Sequence, residues 1–95
     1  MSWSARELKH KRTGRLAYDL ENDTSQSHYL FDDSMNCVGY YDYGFDSMID
    51  EYFDLVYQKD SEITIEEWNE ICATLKRKAL EYVEETKYTI RDIYV

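Results

Sequence analysis

The sequence predicts an α+β fold, in which a small antiparallel sheet packs against two amphipathic helices. Short segments in residues 16–43 alternate apolar and polar side chains, as strands of a meander do. Two stretches with apolar residues at helical spacing follow them. Aromatic residues make up 16% of the 95 residues, and disordered chains are poor in aromatics. We therefore expect a single folded domain over residues 1–95.

The N-terminal segment, residues 1–15, is basic, and a short helix is expected over residues 2–12. Ser4 and Glu7 have the spacing of a capping box, in which each residue caps the other at a helix start. Gly14 is expected to end this helix.

Three short strands are predicted within residues 16–45, and Gly39 is expected to mark a bulge in the third. Polar, turn-like segments separate the strands. The strands cover residues 16–20, 28–31 and 37–43.

Residues 46–95 are expected to form the two helices and a final strand. Asp46 or Ser47 caps the first helix, which is expected to end near residue 59. Both helices are expected to cover the same face of the sheet.

The second helix begins at a capping box formed by Thr64 and Glu67 and is expected to end near residue 86. Residues 88–95 alternate and are rich in β-branched side chains, which favours a last strand that returns to the sheet.

The net charge of −9 is unevenly distributed along the chain. Residues 1–16 carry five basic side chains against one acid, whereas residues 17–70 carry fifteen acids against Lys59. Such a negative body repels nucleic acid and anionic membranes and attracts basic surfaces. We expect no direct binding to nucleic acid and no membrane segment, because the apolar runs are short.

The sequence predicts no enzyme, no catalytic residue, no cofactor and no metal site. His10 and His28 lack the neighbours of a catalytic or metal site and are expected to lie at the surface. Cys37 and Cys72 are expected to be buried thiols, because a pair of isolated cysteines in a chain without a signal peptide is a poor candidate for a disulfide.

Two rows of carboxylates at i, i+4, i+8 are the strongest candidate for a binding surface. On a helix each step advances about 6 Å, which is of the order of the phosphate spacing in nucleic acid. Such rows on an outer helix face are more often only a solvated surface, and that interpretation remains the alternative. The tyrosines Tyr41, Tyr43 and Tyr57 are expected to act as anchors beside them. The rows are Asp46, Asp50 and Asp54, and Glu62, Glu66 and Glu70.

These features predict an acidic protein-binding module that imitates phosphate charge and inhibits a basic, nucleic-acid-binding protein, in the manner of phage or mobile-element inhibitors. The alternative is a structural or adaptor subunit that binds a partner, or itself, through tyrosine-rich apolar faces. We expect a cytoplasmic protein, within a bacterial host if phage-encoded, that is a monomer or a homodimer.

Overall fold

The computed structural model describes residues 2–41 and 45–94, with side chains for residues 2–41 and 47–82. Five strands form one antiparallel sheet in the order β4-β3-β2-β1-β5, so the predicted α+β class is confirmed. The elements are β1 (Trp3–His10), β2 (Leu16–Asn22), β3 (Ser27–Phe31), β4 (Cys37–Tyr41), α1 (Phe45–Tyr52), β5 (Phe53–Leu55), a short 3-10 turn (Gln58–Asp60) and α2 (Ile65–Tyr94).

The two helices lie on opposite faces of the sheet, and not on one face as expected. Successive side chains of a strand point to opposite faces. Tyr18 and Leu20 of β2 pack against Leu75 of α2, whereas Ala17 belongs to the cluster around Ile49 of α1. The sheet is therefore the middle of three layers, and each helix has its own small core.

The predicted N-terminal helix is wrong, because residues 3–10 form β1. This strand pairs with β2 through seven residue pairs, and its Leu8 is fully buried against Ile49 of α1. The two side chains that were interpreted as a capping box make other contacts. The Ser4 hydroxyl donates to the Asp23 carboxylate, and the Glu7 carboxylate accepts from the Ser61 hydroxyl. Long-range strand pairing has overridden a local helix signal.

The first predicted helix is shorter than expected. It ends at Tyr52, where the Lys11 backbone N–H donates to the Tyr52 carbonyl at 2.9 Å and the Lys11 ammonium donates to the Asp50 carbonyl at 2.7 Å. These donors satisfy carbonyls that a helix end leaves without partners. The chain then turns into β5, which pairs with residues 8–10 of β1.

The capping box at the start of α2 is confirmed. The Glu67 N–H donates to the Thr64 hydroxyl oxygen at 3.2 Å, and the Thr64 hydroxyl donates to the Glu67 carboxylate at 2.9 Å. The predicted final strand is wrong, because α2 continues to Tyr94; Val95 lies outside the described residues. No glycine or proline follows residue 44, and each residue added to an existing helix gains a hydrogen bond without a new nucleation cost.

The bulge expected at Gly39 is confirmed. Leu30 lies opposite Gly39 and Phe31 opposite Cys37, which leaves Val38 as the extra residue of β4. A methyl group at position 39 would overlap the ring of Tyr41, so a larger residue there would require that ring to move. The predicted end of this strand, residues 42–43, lies outside the described residues.

Candidate functional site

A groove of about 280 Å³ opens between the edge of β1, the end of β5 and the first turn of α2. Three large apolar side chains at this groove are exposed: Leu55 (42%), Tyr57 (60%) and Ile65 (62%). The half-buried Ile63 and Trp68 also line it. Large apolar side chains clustered around a concavity, where water must leave on binding, are typical of a protein interface.

Residues 56–64, which form one wall of the groove, are tied to β1 by polar contacts. The Val56 N–H donates to the Glu7 carbonyl at 2.9 Å, and the Ser61 hydroxyl donates to the Glu7 carboxylate at 2.5 Å. The Ile63 N–H in turn donates to the Ser61 hydroxyl oxygen at 3.1 Å. The wall is therefore fixed at several points, and fewer groups must be ordered when a ligand binds.

Acidic residues are frequent in the segment that forms this groove. Residues 54–67 carry five acids against one base, Lys59. Each acid is directly adjacent in sequence to a residue that lines the groove, and all five acids are exposed. We call these five acids the rim of the groove; the charged residues that line the groove itself are Arg6 and Glu7. The acids are Asp54, Asp60, Glu62, Glu66 and Glu67.

The two predicted carboxylate rows do not each follow one helix. Asp50 is exposed on α1, but Asp54 lies on β5 opposite Lys9 of β1. Asp46 is in the first turn of α1, and its side chain is not described. The regular step of about 6 Å that this row was expected to have depends on a continuous helix, which ends at Tyr52.

The second row is partly helical. Glu66 and Glu70 are exposed one turn apart on α2, whereas Glu62 precedes the helix. Glu62 and Glu66 are adjacent in sequence to groove-lining residues, whereas Glu70 lies one turn further along α2.

The predicted tyrosine anchors are separated. Tyr57 lines the groove beside β5, whereas Tyr41 is half-buried on β4, at the opposite edge of the sheet. Tyr43 lies outside the described residues.

Sequence reasoning did not identify Leu55 and Ile65 as part of a binding surface. Ile65 continues the apolar stripe of α2 and was expected to face inward, since its spacing from Trp68 matches the core face. It is exposed because it occupies the first helical turn, beside the groove. Helical spacing alone does not distinguish such a residue from a core residue.

A buried polar cluster lies on the α1 side of the sheet. Asp19 of β2 is 1% exposed; its carboxylate accepts two hydrogen bonds from the Arg6 guanidinium, at 2.9 and 2.6 Å, and lies 3.0 Å from Nδ1 of His28. Nε2 of His28 lies 3.2 Å from Glu21. The expectation that His28 is a surface residue is wrong, because it is 4% exposed.

This cluster fits a structural role. No buried side-chain nitrogen or oxygen in residues 2–41 and 47–82 lacks a hydrogen-bond partner. Over the same residues, no group of three or more His, Cys, Asp and Glu side chains is arranged to hold a metal ion. The cluster thus stabilises the part of the sheet where polar side chains are buried, on the face towards α1.

The two cysteines are free and half-buried. Burial raises the pKa of both thiols; a backbone hydrogen bond with Gly39 partly offsets this shift for Cys37, and the charge of Lys76 partly offsets it for Cys72. Neither has the lowered pKa of a reactive thiolate.

The basic N-terminal residues form one end of the molecule. Lys9, Lys11, Arg12 and Arg15 are exposed on the β1–β2 hairpin, and Arg15 lies 3.7 Å from Asp33. The hairpin is therefore basic, and its Lys9 lies opposite Asp54 of β5.

Comparison with protein-family models, curated proteins and solved structures finds no significant match. Neither helix, over the residues described, combines the length and apolar composition needed to cross a membrane.

Proposed function

We propose that this chain is an acidic protein-binding module whose groove binds a basic surface of another protein, one that otherwise binds nucleic acid. One observation carries the proposal: Leu55, Tyr57 and Ile65 are exposed together at a groove, and five exposed acids are adjacent in sequence to the residues that line it. Apolar side chains supply contacts that water cannot replace, and the charges select a basic partner.

The two parts of the groove have different roles in this proposal. Carboxylates at a rim act over a distance and mainly raise the association rate, which therefore falls as salt screens them. The exposed tyrosine and isoleucine become desolvated in the complex and set its lifetime. By occupying a basic surface, the module inhibits the binding of nucleic acid there. The imitation of phosphate lies in the charge of the rim, and does not require the regular helical rows first expected.

The test is capture of partners from native cell extract on the immobilised chain, followed by elution with salt and then with DNA. The proposal expects a basic protein that salt elutes and that DNA competes off. Tyr57→Ser should shorten the lifetime of the purified complex while leaving its association rate nearly unchanged. A captured partner that neither salt nor DNA elutes would contradict the proposal.

A second function is favoured by the other edge of the sheet. Val38 (59%) and Tyr40 (39%) are exposed on the edge strand β4, where Tyr40 contacts Tyr29 and Tyr82. This tyrosine-rich face suits an adaptor that binds a partner or a second copy of itself. Salt distinguishes the two functions, since an apolar interface holds at high salt. If the chain is an adaptor that binds through the β4 face, Tyr40→Ser should abolish binding and Tyr57→Ser should not.

A further inference from the structure

One half of the β1 edge has no strand against it. β5 pairs with Leu8, Lys9 and His10, and the last contact along this edge is the hydrogen bond from Val56 to the Glu7 carbonyl. Within residues 2–41 and 45–94, no strand continues beyond that point towards Trp3. The groove runs beside this part of β1, since Ala5 and Glu7 line it.

The backbone of Trp3 and Ala5 faces this open edge. In an antiparallel strand, the N–H and C=O of one residue point to the same side, and successive residues alternate. The Glu7 carbonyl points towards β5, so the groups of Ala5 and Trp3 point the same way. Ser2 and His10 confirm the alternation, because their backbone bonds go to Asp23 and Arg15 on the β2 side. Two N–H and two C=O groups are thus arranged as the template for another strand.

We propose that an extended segment of the basic partner adds to β1 as a sixth strand, hydrogen-bonded to Trp3 and Ala5, with one of its apolar side chains in the groove. This inference rests on the proposed function and specifies the form of the partner. Strand addition gives affinity through the backbone, and pockets for alternate side chains give specificity.

The groove suits such a segment in size and charge. A volume of about 280 Å³ is just below the range of small-molecule pockets, so it accommodates a side chain while the rest of the segment lies along the edge. Ile63, Ile65 and Trp68 supply the apolar lining. Glu62 and Glu66 are exposed and adjacent in sequence to the lining residues Ser61, Ile63 and Ile65, which favours lysine or arginine at neighbouring positions of the segment.

The experiment uses a capped seven-residue peptide of alternating lysine and valine and the full chain. Amide hydrogen exchange at Trp3 and Ala5 is measured with and without saturating peptide, together with peptide affinity. The proposal expects exchange at both amides to slow at least about tenfold, because each becomes a ladder hydrogen bond.

Ala5→Pro removes one donor from the open edge without removing a bond to β2, and proline is tolerated on such edges. It should weaken peptide binding about tenfold, whereas Leu80→Ala, at an exposed position of α2 that does not line the groove, should bind as the original chain does. If Ala5→Pro does not fold, the exchange measurement on the unchanged chain decides.

Unchanged exchange at Trp3 and Ala5, or no binding of the peptide, overturns strand addition. If exchange is unchanged but the peptide binds and Glu66→Lys weakens its binding, strand addition is wrong, whereas the proposal that the groove binds a basic partner is supported. A chain that is a dimer, and that Ala5→Pro converts to a monomer, shows that a second copy occupies the edge, and this also overturns the proposal.

Discussion

Removing the carboxylate of Asp19 should destabilise the domain more than removing any exposed acid. Asp19 is 1% exposed, and its two oxygens hold the Arg6 guanidinium and the His28 ring. Asp19→Ala removes the buried carboxylate that both groups contact. Removing one member of a buried ion pair costs roughly 3–5 kcal/mol. Because the Arg6 side chain is 34% exposed and can be rehydrated, we expect about 3 kcal/mol.

Urea unfolding, followed by tryptophan fluorescence and circular dichroism, measures this free energy. Asp23→Ala is the control: this exposed acid accepts hydrogen bonds only from the exposed Ser4 hydroxyl among the contacts described, so its loss should cost about 0.5 kcal/mol or less. If Asp19→Ala costs no more than Asp23→Ala, the polar cluster does not stabilise the α1 face and our account of it is wrong.

Three further predictions concern packing and titration. Leu75 is fully buried and Leu80 is 54% exposed on the same helix, so Leu75→Ala should lower the free energy of unfolding by about 2–5 kcal/mol and Leu80→Ala by about 0.5 kcal/mol or less in urea titrations. Equal losses would mean that α2 packs through another face. The raised pKa of Cys72 should make its alkylation by iodoacetamide at pH 8 slower than that of a cysteine in an unfolded peptide; an equal rate contradicts the burial of this thiol. Burial, with Glu7 and Asp33, raises the pKa of Tyr18 above 10.0, so the folded state keeps a proton that the unfolded state releases, and stability should fall as pH rises above 10.0. Tyr18→Phe should reduce this loss of stability at high pH, and a variant with the same dependence of stability on pH would contradict the prediction.

The strands and the long helix were predictable where local pattern and final structure agree. Tyr29 and Phe31 alternate and face one core, and the Thr64–Glu67 box begins a helix with a long apolar stripe. The similar Ser4–Glu7 box failed because no comparable helical stripe follows it. Its residues gain more from pairing with β2, which depends on residues far away in sequence.

The acidic character of the site was predictable, but its geometry was not. Asp54 follows a helical pattern in sequence, yet β1 offers an edge to residues 53–55 and the chain becomes a strand there. No glycine or proline marks that change. The groove, and the exposure of Leu55 beside it, result from this pairing between distant segments.

The measurement that tests the central claim most directly is the binding of the purified native partner to two doubly reversed variants. Glu62→Lys with Glu66→Lys reverses the rim of the groove. Asp33→Lys with Glu81→Lys makes the same change in net charge at exposed positions, between β3 and β4 and on α2, that do not line the groove. At about 150 mM salt, where the Debye length is about 8 Å, only charges near the interface should matter.

Our account predicts that reversal of the rim weakens binding at least about tenfold, mainly through a slower association rate, while the control pair binds nearly as the original chain does. Both variants should unfold at urea concentrations close to that of the original chain. Equal binding by the two variants would contradict the account, because the acids of the groove would then be solvated surface and no part of an interface.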